Sequence, residues 1–395
     1  MTSYADDLTL AVTHPAISLD VPALSARLQS AFTPVSNWST TNRLPIAPDK
    51  STVTLFTPWT KQYHAQPQVH LNNTQVPLNK TPKILGVTLD PLFTFAPHVA
   101  STAARASSRL QIMKAVTGSG WGQDKETLLL TYGALIKPII TYAAPIWFPR
   151  ASQTSIDRLQ VIQNKALRIA SGSVLRADIT HLHTECKTLP IKEHLSMLSK
   201  QFLASALRPI HPSHSLVTGD PGPRANSRIP LLQSAYLAEL SPYLEPDNTV
   251  DPASYRSTIN SIHSSTVQRY IANRPPNKVL QAQPPEISPS ETHLPRAFRT
   301  TLSQLRSGQC SRLLSFRHAI GLSDTDSCPD CSSAVHTTSH LFHCASSPTT
   351  LTVEDLWVDP VGVARHLTTL SAFSDLPPLE TRPPICSTAR PPRQH

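Results

Sequence analysis

The distribution of proline limits the folds open to this chain more than any other feature of its sequence. The chain contains 38 prolines and 11 glycines, and fourteen of the prolines lie between residues 208 and 295. Each proline fixes its backbone φ angle and removes a hydrogen-bond donor, so long helices and central strands are disfavoured where prolines are dense. The sequence therefore predicts a connector over 208–295, with one short helix near 253–273.

The region before the connector begins with a block in which strand and helix patterns alternate. Short β-prone runs occupy residues 8–12 and 52–56, an amphipathic stretch at 21–38 lies between them, and a further strand pattern covers 83–89. Short strands mixed with a helical period are typical of α+β folds. We expect residues 1–96 to form such a block.

From residue 97 to about 207 the apolar residues recur with helical spacing. Residues three or four apart share one face of a helix, and such a face needs another element to cover it. Further helices are predicted at 125–137, stopped by Pro138, and near 192–207. The pattern predicts an all-α subdomain over 97–207. Two apolar series carry it: Val99, Ala103, Ala106, Leu110 and Met113, then Ile156, Leu159, Ile162, Ala166 and Ile169.

Two segments follow the connector. Residues 296–346 contain an arginine-rich pair of predicted helices and then a cluster of cysteines. Residues 347–395 end in a polar, proline-rich stretch, and we expect them to be mostly disordered because they offer little for a core.

Charge and composition narrow the class of protein. The 35 Lys and Arg outnumber the 26 Asp and Glu, a net charge of +9, which favours anionic partners. No apolar run approaches 18 residues, and the first residues lack the pattern of a secretory signal. The sequence therefore predicts an intracellular protein, of cytoplasm and nucleus, without a membrane partner. In that compartment its six cysteines are expected as metal-binding thiolates rather than disulfides.

Two adjacent acidic residues, Asp6 and Asp7, stand before an apolar strand. Neighbouring side chains of an extended strand point to opposite faces, so both carboxylates reach one site only where the chain turns. At the tip of a hairpin they would form half of a site for Mg²⁺, which prefers oxygen ligands. Taken alone, an Asp-Asp pair is more often a solvated turn or helix start, and that alternative stays open.

The context of this pair is more specific. Tyr4-Ala5-Asp6-Asp7 resembles the catalytic hairpin of reverse transcriptases, and the order of later segments resembles non-LTR retrotransposon enzymes, in particular the jockey-like type. Together these motifs cover roughly residues 3–172. The later segments are Asn42–Ser51, similar to a palm segment ending in Lys-Ser, Lys83–Asp90, similar to the primer-grip hairpin, and Tyr142–Trp147 and Leu159–Ile169, similar to the helical thumb.

The resemblance implies roles for individual residues. Asp6 and Asp7 would be catalytic carboxylates that hold Mg²⁺, and Tyr4 would lie beside the primer end. Lys50 would neutralise the leaving pyrophosphate, although a surface lysine on a strand is an equal alternative. Gly86 would allow close backbone approach in the primer grip, unless it is an ordinary hairpin glycine.

The implied fold is α+β: a partial palm over 1–96, an all-α thumb over 97–207, the connector, basic helices with a zinc knuckle, and a tail. The implied partners are an RNA template and a DNA primer. A palm of this family takes a further aspartate and the fingers from upstream of the hairpin, and this sequence starts three residues before it. We therefore expect this chain to be inactive as an RNA-directed DNA polymerase by itself, with the N-terminal portion as a partner. The alternative is a non-catalytic RNA- or DNA-binding protein.

The cysteine cluster follows the pattern C-x2-C-x8-H-x3-C. A C-x2-C turn supplies two ligands, and His and Cys four residues apart share a helical face, which together suit tetrahedral Zn²⁺. Four protein ligands close the coordination sphere, so the metal would be structural. His336 and His343 are competing ligands. The predicted set is Cys328, Cys331, His340 and Cys344, and the family resemblance implies a similar C-terminal finger.

Arginines precede the cluster and are interleaved with Phe298 and Phe316. A basic stretch with aromatic faces beside a zinc knuckle suits phosphate contacts and stacking of unpaired bases. A solvated helix face is the alternative for any single arginine. The predicted contacts are Arg299, Arg306, Arg312 and Arg317; the thumb positions Arg105, Arg109, Lys114, Lys165 and Arg168 indicate the same role more weakly.

Overall fold

The computed structural model divides the chain into two compact units. Unit 1 comprises Met1–Thr102, Ala143–Ile156 and Gly219–Glu239. Unit 2 comprises Ala103–Tyr142, Asp157–Thr218 and Leu240–His395. The structure describes residues 2–4, 7–13, 20–57, 60–62, 64–71, 74–118, 120–218, 239–245 and 249–379.

Unit 1 contains three antiparallel ribbons of two short strands each. The described strands form three separate two-stranded sheets, so they do not build one continuous palm sheet. The predicted run at 52–56 contributes an isolated bridge between Val53 and Leu78. The strands are β1 Thr2–Tyr4 and β2 Asp7–Thr9, β3 His70–Leu71 and β4 Thr74–Gln75, and β5 Lys83–Ile84 and β6 Val87–Thr88.

The helix α1, Val21–Thr41, confirms the amphipathic stretch predicted at 21–38. Its first turn is capped by Asp20, whose side chain accepts a hydrogen bond from the backbone N–H of Ala23. Gln29 holds β3 against this helix: its amide donates to His70 O (3.0 Å) and accepts from His70 N (2.8 Å). A small core lies beneath, formed by Val53, Val69, Leu71 and Val76, with Leu28 and Phe32 packed against it.

Helices dominate the region predicted as all-α. Apart from Ile169, every residue of the two predicted apolar series is buried, which confirms the faces read from the sequence. Pro138 does not end the helical region: one helix ends at Leu135, and the next takes Pro138 into its first turn, where a missing N–H costs nothing. The helices are α2 Ala96–Ala115, α3 Lys125–Leu135, α4 Lys137–Thr141, α5 Ala144–Trp147, α6 Gln153–Ser171, α7 Ile179–Glu185 and α8 Ile191–Ala206.

One segment of this region, Lys125–Arg150, is long and apolar enough by composition to cross a membrane, with a mean hydropathy of 1.3. This finding differs from the expectation that no apolar stretch is long enough to span a membrane. The structure breaks the segment into α3, α4 and α5, and it buries Leu128, Ile136 and Ile140 completely. Core helices of globular proteins have the same composition, so the segment is weak evidence for a membrane span.

The connector contains the helix predicted near 253–273. This helix, α10 Tyr255–Ala272, packs against α8, and Gln201 of α8 donates a hydrogen bond to Ile259 O (3.2 Å). A short helix, α9 His214–Thr218, precedes it. The helix α10 has 18 residues, so the density of prolines does not exclude a long helix between Pro252 and Pro275.

The C-terminal segment differs from the predicted tail. Residues 347–379 pack into a core with α11, Arg296–Arg306, and contain α13 Asp355–Val358 and α14 Pro360–Leu367. Trp357 and Phe373 anchor this core because both are buried. The expectation of disorder is thus wrong for these residues, since a few large apolar side chains suffice to dock them; residues 380–395 lie outside the described part. The helix α12, Leu314–Ala319, precedes the cysteines.

Candidate metal centre and basic surfaces

The first two cysteines of the cluster lie on a tight turn. The turn is closed by hydrogen bonds from Cys328 N to Ala334 O (2.7 Å) and from Ser332 N to Cys328 O (2.8 Å). Ser327 and Val335 form an antiparallel bridge at its base. Two residues separate Cys328 from Cys331, and this local pairing brings their thiols to one side of the turn.

His340 and Cys344 complete the cluster from the following segment. His340 begins a short 3-10 helix, His340–Phe342, whose Leu341 and Phe342 are buried in the core of unit 2. Thr338 also donates a hydrogen bond to Leu305 O of α11 (3.2 Å). The ligand-bearing segment is therefore attached to the core on both sides of His340.

The four ligand atoms fit a tetrahedral metal. All lie within 4.8 Å of one another. The Sγ atoms of Cys328 and Cys344 are 3.9 Å apart, and Cys331 Sγ lies 3.3 Å from His340 Nε2. A tetrahedron with Zn–S bonds of about 2.3 Å has S···S edges of about 3.8 Å. The Cys3His set can therefore hold a metal such as zinc, and among the described residues it is the one such group of three or more His, Cys, Asp or Glu ligands.

The two competing histidines lie outside the cluster. His336 is buried, and its Nδ1 accepts a hydrogen bond from Leu314 N (3.1 Å). His343 is exposed, and its Nδ1 lies 2.9 Å from Ser339 O. The geometry thus selects His340, the ligand ranked first from the helical spacing to Cys344.

The thiols differ in their electrostatic surroundings. Hydrogen bonds from Ser333 lower the pKa of the Cys331 thiol to about 6. Burial instead raises the pKa of Cys328. The lowered pKa of Cys331 therefore favours the thiolate, which is the metal-binding form.

The acidic hairpin is only partly described. Tyr4 and Asp7 face each other in the register of β1 and β2, and Asp7 is exposed. Asp6 and the side chain of Tyr4 lie outside the described residues. Lys50 is an exposed residue of a turn, not of a strand. The Mg²⁺ site therefore stays a prediction.

Gly86 lies in the two-residue turn of the β5–β6 hairpin. Its φ angle is +82°, and Leu85 before it has a φ of +45°. A turn with two positive φ angles matches the twist of paired strands and favours glycine. This geometry explains the glycine structurally, and a contact with a primer stays a prediction.

Two of the predicted nucleic-acid contacts are internal. Arg306 is fully buried, donates to Glu185 and Glu291, and also donates to Leu356 O. Arg299 is 7% exposed and bonds Glu126. The prediction for Arg306 is corrected, because a guanidinium group committed to buried carboxylates has no donor left for a phosphate. Arg299 bonds the half-exposed Glu126 through one nitrogen, and its Nε has no partner among the described residues, so its contact with nucleic acid stays a prediction.

Arg312 and Arg317 remain nearer the surface. Arg312 pairs with the exposed Asp375, whereas Arg317 is exposed. For both residues, the contact with nucleic acid stays a prediction.

The buried charges form a cluster that the sequence did not indicate. Glu185 contacts both Arg306 and Lys125, and Lys125 also contacts Glu291. Burial by itself raises the pKa of Glu185, but Lys125 and Arg306 outweigh it and hold the pKa far below its ordinary value. The partners are between 15 and 166 residues apart in sequence, so no local pattern reveals them. The one signal in the sequence is polar residues at core-facing helical positions.

The basic residues of the helical region point outward. Arg105, Arg109 and Lys114 on α2 and Lys165 on α6 are exposed, and α2 has no Asp or Glu. Arg105 and Arg109 pair with none of the residues that the structure describes. Arg168 is half-buried and donates to Ala177 O. The weaker of the two predicted basic surfaces is therefore the more accessible one.

Distant relatives of this chain occur in mobile elements of Drosophila melanogaster. A protein described as an RNA-directed DNA polymerase from transposon BS is 25% identical over 202 residues, 51% of this chain and 22% of that protein. One from the transposon X-element is 27% identical over 191 residues, 46% of this chain and 21% of that protein. This chain is a distant relative of retrotransposon RNA-directed DNA polymerases.

A further relative of this polymerase-related chain is a 115 kDa protein in the type-1 retrotransposable element R1DM, 23% identical over 176 residues, 45% of this chain and 17% of that protein. The chain spans about a fifth of the length of the curated relatives that it matches. No family model and no solved structure matches it.

Proposed function

We propose that this chain is part of a non-LTR retrotransposon reverse transcriptase, of the jockey-like type, and that its helical unit holds the RNA template and DNA primer. The distant relatives support the class of protein. The single observation that carries the binding role is the outward face of α2, where exposed arginines occur without any acidic residue on the helix.

The chemistry of that face suits a polyanion. Cationic side chains that contact phosphates release condensed counterions, which gives sequence-independent affinity. Arg299 and Arg306 of α11 are paired with carboxylates, whereas Arg105, Arg109 and Lys114 of α2 and Lys165 of α6 are exposed. Binding would follow the backbone and shape of the nucleic acid rather than its bases.

The Cys3His cluster has a structural role in this proposal. Cys328, Cys331, His340 and Cys344 would hold Zn²⁺, which fixes a short segment that has little core of its own. The four ligands leave no open position, so the metal supplies folding energy and not catalysis.

The acidic hairpin would supply only part of a polymerase site. Asp6 and Asp7 would bind Mg²⁺, which in nucleotidyl transfer stabilises the attacking and leaving oxygens. Such a two-metal site takes carboxylates from more than one strand, so we propose that this chain binds nucleic acid but does not extend a primer without further residues. Lys50 would assist at the pyrophosphate.

Filter binding over a salt series tests the binding role. The full chain, loaded with zinc, is titrated against single-stranded RNA, single-stranded DNA and an RNA–DNA primer–template between about 50 and 200 mM salt. Affinity is expected to fall steeply with salt, by about 0.7–0.9 in the log–log slope for each phosphate contacted. Absent or salt-insensitive binding contradicts the proposal.

Primer extension tests whether this chain is catalytic by itself. The same chain is incubated with primer–template, Mg²⁺ and dNTPs. We expect binding without extension, which fits either a part of a polymerase or a non-catalytic binding protein. Extension by the chain alone, abolished by Asp7→Asn, would contradict the proposed inactivity and establish the enzyme.

A further inference from the structure

A short loop after α2 presents an exposed indole. The loop spans residues 116–122 and carries Trp121, whose exposed fraction is 62%. Gly118 N donates to Trp121 O (3.0 Å), and Gln123 N donates to Val116 O (3.2 Å). The hydroxyl of Thr117 also donates to Trp121 O (3.1 Å). The described residues of the loop are thus closed by their own hydrogen bonds.

Two glycines set the position of this indole. A Cβ at Gly118 would collide with the Trp121 ring, so the ring lies directly against the backbone there. Gly122 has a φ of +90°, and a Cβ there would collide with Val116 O. A side chain at Gly122 would collide with the backbone, whereas one at Gly118 would displace the indole from the surface on which it lies.

The loop is also tied to the core of unit 2. Arg296 donates from Nε to Gly118 O (2.8 Å) and from Nη2 to Ile169 O at the end of α6 (2.8 Å). This arginine therefore caps the carboxyl end of α6 and holds the loop. A large exposed side chain on a loop whose backbone is fixed by hydrogen bonds differs from the scattered exposed hydrophobics of ordinary surfaces.

The helix before the loop gives this surface a charge. Arg105, Arg109, Ile112 and Val116 are spaced four, three and four residues apart, so they form one exposed stripe that runs toward the loop. The nearest acidic side chain in sequence, Asp124, caps α3 by accepting from Thr127 N. The stripe combines two cations with apolar contacts and ends at the indole.

We propose that Trp121 is a stacking platform for an unpaired base of a nucleic acid whose phosphates contact Arg105 and Arg109. The inference rests on the proposed function and names the site of that binding. Every base has a flat face, so an exposed indole beside cations, on a loop with a hydrogen-bonded backbone, suits single-stranded nucleic acid without sequence preference. A protein partner would need only the apolar part, and the two arginines favour the polyanion.

Fluorescence anisotropy with a labelled 20-nucleotide dT strand tests this site in the full, zinc-loaded chain. Trp121→Ala is expected to weaken binding at least about fivefold, since one base–aromatic stack contributes about 1 kcal/mol or more. Trp121→Phe keeps a ring and is expected to stay within about threefold of the original affinity. Trp38→Ala is the matched control, because Trp38 is 59% exposed in unit 1.

The salt dependence distinguishes stacking from charge. Trp121→Ala should lower affinity at every salt concentration without changing the log–log slope, because a stacked base releases no counterion. Equal affinities of Trp121→Ala and the original chain overturn the platform while leaving the proposed function intact. A loss that Trp121→Phe does not restore, or that Trp38→Ala shares, also overturns it. No binding by the original chain overturns the proposed function itself.

Discussion

The cysteine cluster and the acidic hairpin are both predicted from local motifs, yet their candidate ligands are arranged differently in the structure. All four ligands of the cluster come from residues 328–344, and their atoms lie within 4.8 Å of one another. The hairpin places an exposed Asp7 at the start of a three-residue strand, in one of three separate ribbons. A site whose ligands share one short segment can assemble locally, whereas a site shared between strands depends on their assembly.

The largest effect is expected at the metal centre. His340→Ala should lose the bound zinc that the original chain carries at about one per molecule, and residues 323–344 should lose protection from hydrogen exchange. Structural zinc sites contribute about 10 kcal/mol or more to local folding. Elemental analysis and exchange mass spectrometry measure both effects.

His343→Ala is the control for that variant, because His343 is exposed and outside the cluster. It should keep the zinc. A purified original chain without metal, but with residues 323–344 equally protected, would contradict a structural zinc site.

The buried charges of unit 2 provide the next largest effect. Arg306→Leu leaves the buried Glu185 and Glu291 with Lys125 as their one shared cation, so the free energy of unfolding should fall by about 3–5 kcal/mol. Arg312→Leu removes a pair with the exposed Asp375 and should cost at most about 1 kcal/mol. Urea unfolding measures both, and equal losses would show that Arg306 is not the centre of the cluster.

The same cluster predicts a dependence of stability on pH. Lys125 and Arg306 outweigh the burial of Glu185 and hold its pKa below the ordinary value of 4.5. A carboxyl with a depressed pKa stabilises the fold above its unfolded value, and that contribution is lost as the pH falls below about 4.5. Urea unfolding between pH 6 and 3 should show this loss, and Glu185→Gln should flatten it. Identical slopes for the two proteins would exclude Glu185 as the cause.

The smallest effect is expected at the hairpin. Asp7 is exposed, so Asp7→Asn should change the free energy of unfolding by no more than about 0.5 kcal/mol and leave the zinc content unchanged. Urea unfolding and elemental analysis check both. A large loss of stability would mean that the hairpin, like the cluster, depends on a buried ionic contact.

The spacing of residues predicted the local elements of this chain. It did not predict contacts between residues that are far apart in the sequence. The apolar faces of α2 and α6, the helix α10 and the choice of His340 all follow from spacing within one element. The roles of Arg299 and Arg306 did not, because nothing in a basic helix shows that Glu126, Glu185 and Glu291 will meet it.

The C-terminal segment shows the same limit. Its polar composition predicts disorder, but Trp357 and Phe373 reach a core formed by α11. The sequence also does not distinguish Trp121, since its exposure and the hydrogen bond from Arg296 to Gly118 O of the same loop depend on contacts between separate elements.

The central claim is that the outward cations of α2 hold nucleic acid. The most direct measurement is the salt dependence of single-stranded DNA binding by the original chain and by Arg105→Gln/Arg109→Gln, with Arg27→Gln in α1 as an exposed control. Loss of two phosphate contacts predicts a slope shallower by about 1.4 in the double variant and unchanged in the control. Equal slopes and equal affinities for all three proteins would contradict the claim.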